Sequence, residues 1–142
     1  MGTTLIRGGT VVTATGRSLA DVLVDGETIR AVLQPGSELL GVDLAASVDT
    51  VVDATGKYVI PGGIDAHTHM EMPFGGTQAS DTFETGTRAA AWGGTTTIVD
   101  FAVQTVGQRV QDSLAAWHEK AAGNCAIDYG FHQIVGGVDD AS

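Results

Sequence analysis

His67 and His69 stand two residues apart, with Asp65 two residues before them, in the stretch Pro61-Gly62-Gly63-Ile64-Asp65-Ala66-His67-Thr68-His69-Met70-Glu71-Met72-Pro73-Phe74-Gly75-Gly76-Thr77. Imidazole is the commonest side-chain ligand for zinc-like metals. Along a strand, side chains alternate between faces with period two. The spacing therefore predicts that Asp65, His67 and His69 share one face of a strand and that both imidazoles reach a common cation. The apolar entry predicts that this strand is buried, and the Gly/Pro-rich continuation predicts a loop at its end. A bare His-x-His is weak evidence, since two surface histidines in a turn give the same string. Its position between an apolar run and a Gly/Pro loop favours the metal. Asp65 is a candidate to orient an imidazole by accepting its other N–H; the competing role is a hydrogen-bonded residue at the strand entry.

The other groups capable of chemistry are weaker candidates. Glu71 follows the histidines and is read as capping or pairing in the loop. Asp100 lies near the end of an apolar run, where a hydrogen-bonding role is expected over a catalytic one. His132 reads as a satisfied core or barrel histidine and His118 as a surface one. Lys57 and Lys120 are the only lysines, one in a turn and one on the outer side of a helix. Cys125 is the only cysteine, so no internal disulfide is possible, and a buried inert thiol is expected.

Composition narrows the function classes. The chain has 142 residues, 43% of them hydrophobic, and a net charge of −10 from 17 acidic and 7 basic side chains. That balance argues against nucleic acid or an anionic membrane surface as a partner. No apolar run approaches the ~18 residues of a membrane span, and the N-terminus lacks the basic region of a signal peptide. A cytoplasmic protein is expected.

Two kinds of pattern must position these residues. Up to Ile60 the chain reads as short strands: Thr4–Ile6, Thr10–Ala14, Leu19–Val24, Thr28–Leu33, Thr50–Asp53 and Tyr58–Ile60, with Asp25-Gly26 as a type I′ hairpin signal and Ser37–Ser47 as loop. Such spacing suggests one sheet of a β-sandwich, its acidic residues solvated. After Pro61 strands alternate with helices. A helix is expected from Asp81, capped by Asp81 with Glu84, its inner face Phe83, Thr87, Ala90 and Ala91. Thr95–Ala102 reads as a buried parallel strand. A second helix spans Gly107–Ala122, with Val106, Val110, Leu114, Trp117 and Ala121 on one stripe. Ala126–Val135 is the third strand. This order implies parallel βαβ units, and histidines at a strand's C-terminal end favour a (β/α)₈ barrel over a doubly wound sheet. A barrel takes about 250 residues, and only roughly a third of that follows Pro61. The chain is therefore expected to be part of a longer polypeptide.

The segment GGIDAHTHMEMPFGGT resembles the first barrel strand of the hydantoinase and dihydropyrimidinase branch of the cyclic amidohydrolases. Asp53-Ala54-Thr55-Gly56-Lys57, Ala90-Ala91-Trp92-Gly93-Gly94-Thr95-Thr96-Thr97 through Asp100-Phe101, and Asp128-Tyr129-Gly130-Phe131-His132 carry the resemblance along nearly the whole chain. It implies a small β-sandwich segment over 1–60, followed by the first three β/α units of a TIM barrel over 61–142. It also implies a metal-dependent hydrolase opening hydantoin and dihydropyrimidine rings to N-carbamoyl amino acids. His67 and His69 would then ligate one of two divalent ions, with zinc the expected metal. The bridging carboxylated lysine, two further histidines and an aspartate acid/base fall outside this chain, which holds no catalytic residue of its own and is expected to be inactive alone. The loop with Met72 and Phe74 would help wall the pocket for a small cyclic amide, and the protein would be a homo-oligomer, a tetramer. Two competing identities are a non-catalytic dihydropyrimidinase-like scaffold, disfavoured by the intact histidines, and an allantoinase or dihydroorotase, disfavoured by Glu71-Met72-Pro73-Phe74-Gly75-Gly76-Thr77.

Overall fold

A computed structural model describes residues 2–39 and 41–138. They form two compact units, Met1–Pro61 and Gly62–Ser142.

The first unit is built on β1 (Thr3–Thr13), which pairs antiparallel with β2 (Gly16–Asp25). β3 (Thr28–Leu33) extends the sheet beyond β2. β4 (Glu38–Leu39) and β5 (Val42–Asp43) make a separate small hairpin where loop was expected. β6 (Thr50–Asp53) and β7 (Tyr58–Val59) run parallel to β1, giving the order β3-β2-β1-β6 with β7 also on β1. Val11, Ala20 and Val22 are buried together, with Ile6, Val24 and Val59 against them. The β2–β3 turn is Gly26-Glu27, not Asp25-Gly26, since Asp25 pairs with Thr28. Only Gly26 has a positive φ there, a sign pattern that fits type II′, not the expected I′.

Two short runs expected at the start are one strand with a bulge. Ile6 faces Val22 and Gly9 faces Ala20, so Arg7 and Gly8 together oppose Asp21. A bulge leaves the extra residue's backbone unpaired in the ladder. Asp21 supplies the missing partner: its carboxylate accepts Gly8 N–H at 2.7 Å and, from the Pro35-Gly36 turn, Gly36 N–H at 3.0 Å. At 3% exposure Asp21 is buried, against the expectation of solvated acidic residues. Asp21→Ala leaves both donors without a partner, each worth ~1–3 kcal/mol when orphaned. In a complete protein carrying this segment, the background for every stability variant, we expect a loss of about 2–4 kcal/mol in urea unfolding, and a loss within 0.5 kcal/mol would contradict this role.

The second unit alternates strand and helix. It comprises β8 (Gly63–Thr68), a hairpin of β9 (Pro73–Phe74) and β10 (Thr77–Gln78), α1 (Phe83–Trp92), β11 (Thr95–Val103), α2 (Val110–Ala121) and β12 (Asp128–Ile134). β8 and β12 each pair parallel with β11, giving the order β12-β11-β8. The sheet and both helices enclose Phe83, Ile98, Ala102, Trp117 and Ala121. Fully burying a side chain such as Phe or Ile stabilises by ~1.5–3 kcal/mol, so this cluster is the main support of the unit.

Several local expectations are corrected. The α1 cap is Thr82, in a reciprocal box with Thr85, and Asp81 instead accepts from the Thr85 hydroxyl. Ala91 is exposed, while Phe83, Gly86 and Thr87 are the buried residues of α1. Val106 precedes α2 and is 82% exposed, so it is not part of the helical stripe. Lys120 is half-buried, its ammonium 4.2 Å from the Trp117 ring centroid, not on an outer face. β8 is not buried: it is an edge strand, and Ile64 is 70% exposed. No helix among the described residues is long and apolar enough to cross a membrane.

Candidate metal centre

The two histidines meet where β8 ends. His67 Nε2 and His69 Nε2 are 3.2 Å apart, both side chains are exposed, and the ring centroids lie 5.0 Å apart at 88°. Both rings rest against Phe101 of β11, at centroid distances of 4.5 and 5.2 Å. Phe101 sits on the face opposite Ile98 and Ala102, which belong to the helix-side core.

Two imidazole nitrogens each 2.0–2.1 Å from one zinc and 3.2 Å from each other subtend about 100° at the ion, close to tetrahedral. The donor chemistry and separation therefore fit a common zinc-like cation. Among the described residues no group of three His, Cys, Asp or Glu side chains comes together to hold an ion. A catalytic zinc usually has three protein ligands, one more than this pair supplies.

Asp65 does not join the histidines through strand alternation. Asp65 pairs with Ile98 and Thr68 with Asp100, so β8 spends three steps where β11 spends two. That irregularity breaks the period-two pattern between Asp65 and His69. The Asp65 carboxylate accepts the His67 backbone N–H at 3.1 Å, so it shapes the chain, the structural role expected at the strand entry.

His132 reaches the same face. Its ring lies 4.9 Å from that of Phe101, and its Nε2 bonds the Ala66 carbonyl at 3.1 Å, which makes Nε2 the protonated nitrogen. It is exposed, so of the two expected settings it takes the barrel-strand one and not the core, and it straps β12 to the irregular part of β8. His118 is exposed, edge-on to Phe131 with centroids 4.9 Å apart. Half-burial pushes the Cys125 thiol up, with a smaller contribution from the Asp100 charge, consistent with an inert thiol.

Asp100 takes the hydrogen-bonding role expected of it, with more donors than the sequence disclosed. It is fully buried, and its carboxylate accepts Thr68 Oγ1–H at 2.8 Å, Met70 N–H at 2.7 Å, Phe101 N–H at 2.8 Å and Trp117 Nε1–H at 3.3 Å. An acidic residue inside Thr95-Thr96-Thr97-Ile98-Val99-Asp100-Phe101-Ala102-Val103 was the available signal, because a buried charge must collect donors.

Beyond the histidines the chain turns sharply. Glu71 has φ 51°, the only positive φ outside glycine among the described residues. Its carboxylate accepts Phe83 N–H at 3.3 Å at the start of α1, and its backbone N–H donates to Asp81 O at 2.9 Å. The left-handed conformation costs a side-chain-bearing residue about 1–2 kcal/mol. Glu71→Gly and Glu71→Ala both lose the cap, but only Gly relieves the backbone. The Gly variant should be the more stable by about 1 kcal/mol in thermal or urea unfolding; equal stabilities would show that the turn is unstrained.

The β9–β10 hairpin turns on Gly75 and Gly76, both at positive φ, as a type I′ turn requires. It carries Phe74 at 78% exposure and, with His69, walls a groove of about 460 Å³ lined by Met72, Phe74, Thr77, Gln78 and Ala79. The two loop residues singled out in the sequence thus border the same groove as one histidine.

Residues 58–135, from the start of β7 through β12, match the amidohydrolase family. The chain belongs to the amidohydrolase family. Its relatives include a D-hydantoinase of Streptomyces coelicolor, 61% identical over 96% of this chain and 28% of that protein. A dihydropyrimidinase of Rattus norvegicus is 43% identical over 92% of this chain and 25% of that protein. The crystal structure of dihydropyrimidinase from Brevibacillus agri matches with a TM-score of 0.85 at 50% identity, covering 97% of this chain and 28% of that one. The hydantoinase and dihydropyrimidinase resemblance read from the histidine segment is thus matched in sequence and in fold. This amidohydrolase chain spans little more than a quarter of the length of these relatives.

Proposed function

We propose that this chain supplies His67 and His69 to one metal site of a metal-dependent hydrolase that opens hydantoin or dihydropyrimidine rings to N-carbamoyl amino acids. The carrying observation is the convergence of the two Nε2 atoms, 3.2 Å apart, beside the Met72–Phe74 groove. The names of the D-hydantoinase and dihydropyrimidinase relatives support the substrate class. In this reading residues 1–60 contribute to a small β-sandwich and 61–142 are the first three β/α units of a (β/α)₈ barrel. The site at a strand's C-terminal end fits that architecture. A second ion, a bridging carboxylated lysine and a tetrameric assembly belong to the same proposal, with zinc as the metal.

Ring amides resist neutral water, and the chemistry a divalent ion supplies when bound is water activation and carbonyl polarisation. The chain's own residues prepare the place. His67 and His69 present their Nε2 atoms toward one point, and Phe101 backs both rings. Met72 and Phe74 offer apolar surface on one side of the groove, suited to a flat ring and to displacing water from it. Asp65 fixes the His67 backbone.

The test is ring opening by a complete protein carrying this segment. Chelation should abolish hydrolysis of hydantoin and dihydrouracil, and zinc or manganese should restore it. Turnover indifferent to chelators would remove the metal from the mechanism. Metal-dependent turnover of allantoin or dihydroorotate in place of these rings would shift the substrate class.

A further inference from the structure

We propose that Asp100 is a positioning residue for the His67–His69 pair, acting through the two residues that flank His69. The ladder between β8 and β11 ends at the Thr68–Asp100 pair. His69 and Met70 lie beyond it, where no further ladder bond holds the backbone. The Asp100 Oδ2 atom takes over: it accepts the Thr68 hydroxyl at 2.8 Å and the Met70 N–H at 2.7 Å, so one oxygen grips both chain neighbours of His69. The other oxygen is anchored in the core by Phe101 N–H at 2.8 Å and Trp117 Nε1–H at 3.3 Å. The carboxylate therefore ties the backbone that carries His69 to β11 and α2. His132 acts on the opposite face, holding the Ala66 carbonyl just before His67. With both flanks fixed, the two Nε2 atoms stay at ligand spacing before any ion arrives, and the ion need not order the chain on binding.

A buried carboxylate with these four donors also stabilises the fold, so replacing it outright confounds the two roles. The donors can be deleted separately. Thr68→Val removes the bond on the histidine side with little change of shape; Trp117→Phe removes the bond on the core side and keeps an aromatic ring. The experiment uses a complete protein carrying this segment, with zinc affinity measured by competition with a chromophoric chelator and the visible absorption of the cobalt-loaded protein recorded. Thr68→Val should weaken zinc by about tenfold, in the range seen when an outer partner of a metal ligand is lost, and should alter the cobalt band. Trp117→Phe should lower the unfolding temperature and weaken zinc by less than Thr68→Val does, because Phe101 N–H still anchors that oxygen. Wild-type zinc affinity and band in Thr68→Val, or equal loss in both variants, would overturn the positioning role. The inference rests on the proposed metal site, and His67→Ala separates the two. If that variant keeps the full zinc complement, the metal reading itself fails. If it loses zinc while Thr68→Val does not, only the role of Asp100 falls.

Discussion

A complete protein carrying His67→Ala should lose ring-opening activity by more than the ~10–100-fold that follows loss of an outer partner of a metal ligand. His67 supplies one of the two converging donors found among the described residues, so its removal halves what this chain offers the ion. The fold should barely notice. The His67 side chain is exposed, and away from caps, cores and networks such substitutions change stability by about 0.5 kcal/mol or less. Its contact with the Phe101 ring is the main packing lost. Metal content, turnover and unfolding temperature are read on the same preparation. Full activity in metal-stripped His67→Ala would dismiss the proposed role. A large fall in unfolding temperature would instead show that the pair serves the fold.

The 142 residues expressed alone should not hydrolyse hydantoin and should not bind zinc tightly. Two histidines fall short of the three protein ligands of a catalytic zinc, and the described residues bring no third His, Cys, Asp or Glu to them. The fold is also short of partners. β8 and β12 are the two edges of a three-stranded parallel sheet, and Ile64 and Val135 are at least half exposed. Parallel sheets occur almost only with both faces covered, and open edges invite pairing with other chains. Expressed residues 1–142 should therefore aggregate or melt without a sharp cooperative transition. The checks are sedimentation, thermal unfolding, zinc stoichiometry and hydantoin turnover. A cooperative monomer that binds one equivalent of zinc tightly and turns over substrate would refute both the architecture and the division of the site.

What the sequence disclosed and what it concealed divide along physical lines. Strand–helix alternation after residue 61 was legible because Thr95–Val103 is rich in β-branched residues and Trp117 and Ala121 repeat at helical spacing. The histidine pair was legible because spacing alone brings i and i+2 together. The face of Asp65 was not, because a register irregularity between β8 and β11 cancels the alternation, and irregularities depend on the partner strand. Asp21 was misjudged for a related reason. An aspartate in a polar stretch and an aspartate opposite a bulge look identical in one dimension; only the pairing of β1 with β2 gives Asp21 two backbone donors. The α1 cap failed more narrowly: Asp81, Thr82 and Ser80 are all competent caps, and the choice of Thr82 lies in the exchange with Thr85.

The unequal burial of the two indoles gives the unit a built-in optical gauge. Trp92 is 93% exposed, whereas Trp117 is 6% exposed and donates to the carboxylate that grips the chain around His69. With Trp92 replaced by phenylalanine, the remaining emission would come from an indole whose immediate neighbour is Asp100. Its wavelength and its shielding from iodide would then register any loosening of that carboxylate, in the absence of metal and substrate. The beginning of local opening beneath the histidines would become visible as light, before the rest of the sheet gives way.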